Sequence, residues 1–163
     1  MVLEMRNWKF IKSTLILLLF MIFSWQVVYG LPAPFSKEEL QDKSDLIVEA
    51  KVLGVICTKE DYYNNVKNLP KVYYYQAWLK LLKVEKGILK PNDSIIVEWS
   101  GTPKGLIGPW SVDYFPGQIV NTHLILDKEK NYYKTTWWNA TNTIKKSSIT
   151  LPKNIGKVVY LDK

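Results

Sequence analysis

From Val72 to Trp99 the apolar positions follow a two-residue period that breaks once and then resumes. Tyr73, Tyr75, Ala77, Leu79 and Leu81 fall on one side of an extended chain, and Tyr74, Gln76, Trp78 and Lys80 on the other. Aromatic and branched residues suit a pleated, half-buried surface. After Leu81 the apolar phase moves to Leu82 and Val84, the one-residue slip that a β-bulge produces. Ala77 to Lys83 also holds good helix formers, but the tyrosine-rich start and the Lys86-Gly87 return favour a strand. Ile95, Val97 and Trp99 then alternate with Ser94, Ile96 and Glu98, which predicts the strand that follows.

The same period appears on both sides of this stretch. Leu46, Val48, Ala50 and Val52 alternate with Glu49 and Lys51, and Gly54 interrupts them as a bulge or tight bend would. Residues 58–71, with an Asn pair and a proline, read as a long polar loop. Gly101 to Pro109 must be irregular, and Trp110 to Phe115 reads as a short strand closed by Pro116-Gly117. Residues 118–126 predict a strand with Val120, Thr122, Leu124 and Leu126 inward. A charged turn at Asp127–Asn131 leads into a return over Tyr132–Trp138. From Asn139 the tail is polar, with a last apolar run at Val158–Leu161. Upstream, Ser36 and Glu39 form a capping-box pattern for a short helix, with Phe35 and Leu40 placed as its staple. The prediction is a mainly β fold: a small closed antiparallel barrel, OB-fold-like, with one short N-terminal helix. One domain spans 31–163, with 31–35 as an extended leader.

The first thirty residues change the picture of where the chain works. Arg6, Lys9 and Lys12 precede the apolar run STLILLLFMIFSW, and Val28 and Gly30 are small enough for cleavage before Leu31. That is the pattern of a secretory signal peptide. The run is shorter than the roughly 20 apolar residues of a spanning helix, so an uncleaved anchor is the lesser alternative. The expected location is secreted or extracytoplasmic, with no membrane contact after cleavage.

The net charge of +7 comes from scattered lysines, and Arg6 is the only arginine. Bidentate base and phosphate recognition relies on arginine, so the balance argues against a nucleic-acid partner. Cys57 is the only cysteine, which rules out an internal disulfide, and its apolar setting suggests a buried small hydrophobe. His123 is the only histidine, and no Cys/His spacing offers a metal site. No cofactor is implied. A Cys57–His123 nucleophile pair or two facing carboxylates among Asp45, Glu49, Glu60, Asp61, Glu85, Asp93, Glu98 and Asp113 would make the chain a hydrolase. Asn92 and Asn139 head N-x-S/T triplets. The aromatic residues are more numerous than one small core needs. Tyr74, Trp78, Tyr132 and Trp138 are the candidate outward face, suited to a protein or glycan partner.

Three phrases carry a family resemblance. SDLIVEAKVLGV resembles the first strand of the netrin-like module shared with tissue inhibitors of metalloproteinases. LLKVEKGILKPNDSIIV resembles that module's next strand and lysine-glycine turn, and FPGQIVNTHLIL with NYYKTTWW resembles its later hairpin. The resemblance spans about residues 36–138 and implies an OB-fold barrel. It does not carry over the family's protease inhibition, which uses a mature N-terminal cysteine: the expected start here is Leu31. The expected function is a non-catalytic binding or protein-interaction module. An exported hydrolase and a structural envelope protein are the alternatives.

Overall fold

The computed structural model describes residues 32–63, 67, 69–101 and 112–160. The expected signal peptide, the cleavage site at Leu31 and nearly all of the 101–109 segment lie outside these residues. Helix α1 (Lys37–Lys43) is followed by seven strands: β1 (Leu46–Tyr62), β2 (Lys71–Lys86), β3 (Ser94–Ser100), β4 (Ile119–Asp127), β5 (Tyr132–Thr135), β6 (Thr141–Lys145) and β7 (Val158–Tyr160). Among the described residues no helix is long and apolar enough to cross a membrane.

The capping box forms as its sequence pattern requires. Ser36 Oγ accepts from the Glu39 amide at 3.1 Å, and the Glu39 carboxylate accepts from the Ser36 amide at 2.8 Å. These bonds satisfy donors that a helix start otherwise leaves open. Leu40 is the residue of α1 that is buried.

All seven strands belong to one sheet, and five of them form a ring. β1 pairs with β2, β2 with β3, β3 with β5, β5 with β4, and β4 returns to β1. One join departs from the antiparallel expectation: β3 and β5 run parallel, through Val97–Tyr133 and Glu98–Lys134. β1 is long enough to serve two neighbours along one edge, β4 at Leu46–Lys51 and β7 at Gly54–Ile56.

Strand bending follows the sequence slips. Leu46, Val48, Ala50 and Val52 are buried, the register shifts at Leu53, and Val55 and Cys57 are buried next. On β2, Tyr75, Ala77, Leu79 and Leu81 point into the core. The register then shifts opposite Glu49 and Ala50, which turns Leu82 outward and brings Val84 back against the core. Each extra residue on one strand bends it and increases its twist. Burying a Leu or Val side chain contributes about 1.5–3 kcal/mol, so the inward set fixes the register. At the β2–β3 return, Gly87 has φ +115°, and a Cβ there would lie 2.7 Å from Leu46 Cδ1.

Four expectations need correction. Part of the expected long loop at 58–71 is strand: β1 runs to Tyr62 and β2 starts at Lys71, paired from Lys59–Tyr74 to Tyr62–Lys71. Ion pairs between Lys59 and Asp61 (2.7 Å) and between Lys71 and Glu60 decorate these arms, so polar composition marks a solvated ribbon. Residues 112–115 are not strand; Trp110 lies outside the described residues. β5 stops at Thr135, because the Thr136 amide turns to the His123 carbonyl at 3.0 Å. The polar tail supplies β6 against β4 and β7 against β1.

Candidate binding groove

The groove begins where β3 and β5 part. Their pairing ends at Glu98–Lys134, while β3 continues to Ser100 and the chain beyond β5 turns toward β4. The space left between them has a volume of about 670 Å³. Tyr74, Glu98 and Ser100 contribute from β2 and β3, and Lys130, Lys134, Thr136 and Trp138 from the β4–β5 turn and beyond.

Below the groove an aromatic series ties it to the core. Trp99 stacks on Tyr75 with centroids 5.3 Å apart, and meets Tyr114 edge-on at 5.2 Å. The Trp99 indole donates to Asp113 Oδ1 at 3.2 Å. Burial raises the Asp113 pKa, and this hydrogen bond opposes the rise. Burial also pushes Tyr75 up to about 12. Both effects follow from the cost of a charge away from water.

The far wall is held by the N-terminal leader. Trp137 stacks on Phe35 at 4.6 Å with an interplanar angle of 19°, and its indole donates to the Ala33 carbonyl at 3.1 Å. Asn139 grips the Phe35 backbone from both sides: Nδ2 donates to its carbonyl at 2.8 Å and Oδ1 accepts from its amide at 3.3 Å. Asn139, read as the head of a sequon, uses its side-chain amide as a clamp.

Two lysines of the charged rim are ion-paired. Lys59 Nζ sits 5.3 Å from the Tyr74 ring centroid and 2.7 Å from Asp61. Lys134 Nζ lies 2.7 Å from Asp127 and, with Lys130, approaches the Tyr132 ring at 6.0 and 5.6 Å. The bond to Asp61 raises the Lys59 pKa, and the bond to Asp127 raises that of Lys134. Both carboxylates are correspondingly held low by those same hydrogen bonds.

The four candidate aromatics therefore divide. Tyr74 and Trp138 line the groove. Tyr132 is at its rim under Lys130 and Lys134. Trp78 stacks on Tyr160 of β7 at 6.1 Å, beside Gly54, whose missing Cβ leaves room for that ring. Trp99, Trp137 and the lysines were not expected at a site. Only the fold brings them together, although the Trp137-Trp138 pair signalled that one indole must face each way.

Cys57 and His123 are not brought together. His123 pairs with Ile47 on β1, and Cys57 lies ten residues further along that strand, about 30 Å at strand rise. Cys57 is fully buried, its thiol pKa raised by burial, with Sγ 3.8 Å from the Lys59 carbonyl. His123 Nδ1 lies 3.3 Å from the Ala140 carbonyl. Several carboxylates serve the backbone: Asp45 accepts from the Leu126 amide and Asp93 from the Lys90 amide, both at 2.8 Å. Among the described residues no three His, Cys, Asp or Glu side chains gather as metal ligands would. No protein-family model matches the sequence, and no match was found among curated proteins or solved structures.

Proposed function

We propose that this chain is an exported binding module, built on an OB-like barrel related to the netrin-like fold, which works by holding a ligand in the groove between β3 and the Thr136–Trp138 segment. The observation that carries this reading is the groove: aromatic planes and hydroxyls converge there on a space the size of known ligand sites, about 300–1,000 Å³. Its position also supports the reading. OB-type barrels bind along their second and third strands and on the loops after their first and fourth strands. Tyr74 comes from β2, Glu98 and Ser100 from β3, and Lys130 from the β4–β5 turn. The five-strand ring, with bulges bending β1 and β2, is consistent with such a barrel.

Binding is a better account than catalysis because the nucleophile and base suggested by sequence stand apart, whereas the groove residues stand together. The test is retention of the labelled protein on arrays of peptides and glycans. Tyr74→Ala and Trp138→Ala, checked for a native circular dichroism spectrum, should each lose the ligand that the parent protein retains. Undiminished retention by both folded variants would refute the groove as the site.

A further inference from the structure

We infer that the ligand of this groove is a neutral oligosaccharide, an inference that rests on the groove being the binding site. The charges around it balance. Lys59 is paired with Asp61 and Lys134 with Asp127, each at 2.7 Å, and Glu98 lines the same groove as Lys130. Lys59 and Lys134 each already hold a carboxylate, which offsets their attraction for a polyanion, and Glu98 in the same lining would repel one. A polycation would meet three lysines. A neutral ligand keeps every pair intact.

The remaining lining suits a sugar better than an apolar peptide. A pyranose ring presents C–H groups on its faces and hydroxyls around its edge. Tyr74, Trp137 and Trp138 supply planes for the faces, above a floor that includes the buried Trp99, and Trp137 is fixed in advance by Phe35 and Ala33. The exposed Ser100 hydroxyl and the ammonium groups at the rim can exchange hydrogen bonds with the edge. Thr58, which donates to the Tyr74 carbonyl at 3.2 Å, and Thr136, 2.8 Å from Ser44 Oγ, keep acceptor capacity. An apolar side chain placed there would strip water from those groups and return no hydrogen bond.

The experiment titrates the full chain with neutral cello-, xylo- and chito-oligosaccharides, with oligogalacturonate as the acidic sugar, and with an uncharged extended peptide. Tryptophan fluorescence and calorimetry report binding. The inference expects saturable binding of at least one neutral sugar, changed less than about twofold between 0.05 and 0.5 M salt, since no net charge is being screened. Trp138→Ala should weaken it at least about tenfold. Ser100→Trp, which fills the groove from an exposed position, should abolish it if Trp138→Ala does not fold. Tighter, salt-sensitive binding of oligogalacturonate, or binding of the peptide alone, would overturn the neutral-sugar assignment while leaving the groove as the site. Failure of every neutral sugar at millimolar concentration would also overturn it. A bound sugar indifferent to both variants would overturn the groove reading too.

Discussion

The Tyr114 hydroxyl lies 2.9 Å from Thr122 Oγ1, inside the core where both residues are fully buried. Thr135 and Thr141 complete the cluster at 3.0 and 3.2 Å from the same phenol oxygen, and Thr122 and Thr141 are 2.6 Å apart. One phenol can donate one bond and accept two, so Tyr114 satisfies three threonines on β4, β5 and β6 at once. Tyr114→Phe keeps the ring and removes that partner. Leaving a buried hydroxyl unsatisfied costs about 1–3 kcal/mol, and urea unfolding should show a loss of that size with little change in slope.

Asp113 supports Trp99 at the cost of a partly desolvated charge. Its folded pKa lies above the unfolded value, so the folded state holds the proton more tightly. The stability linked to this proton is therefore present at low pH and lost as pH rises through the folded pKa. Asp113→Asn keeps an oxygen acceptor for the indole and removes the charge. Thermal melts should show the variant more stable than the parent at pH 7, with the gap closing as pH falls through the range where Asp113 becomes protonated.

Asn139 holds the leader to the groove wall through two hydrogen bonds to Phe35. Asn139→Ala should free residues 33–35 and unseat Trp137, at about 1–3 kcal/mol. Hydrogen exchange should rise at the Phe35 amide while β1 and β2 amides stay protected. Ligand affinity should fall with it, because the wall is no longer preorganised.

Gly54 allows β7 to lie against β1. A Cβ at this position would come within 2.7 Å of Tyr160 Cδ1 and 3.2 Å of the Val159 carbonyl. Gly54→Ala should displace β7, lose about 1–3 kcal/mol to overpacking, and expose Trp78 to quenchers by removing its Tyr160 stack.

Much of this frame can be read from residue order alone. The inward sets Leu46–Val52, Tyr75–Leu81 and Val120–Leu124 follow from alternation, since a buried face forces one phase on a strand. The slips at Gly54 and after Leu81, and the Ser36 cap, were legible for the same local reason. The arm at 58–62 and the start of β2 at Lys71 were hidden because their side chains pair with each other in solvent and show no apolar period. β6 and β7 were hidden because a short strand laid on an existing sheet edge needs little hydrophobic pattern of its own. The groove was half legible: surplus aromatics announced it, but its lining spans residues 58 to 138 and depends on β5 running parallel to β3.

The most direct test of the groove is the indole N–H spectrum of the ¹⁵N-labelled protein during titration with the oligosaccharide or other ligand retained on the array. Trp99, Trp137 and Trp138 line the groove, and Trp78, stacked under Tyr160, serves as an internal control. The account predicts saturable shifts of the groove indoles with one shared dissociation constant and an unmoved Trp78 signal. Shifts confined to Trp78, with the three groove indoles unchanged at saturation, would contradict it.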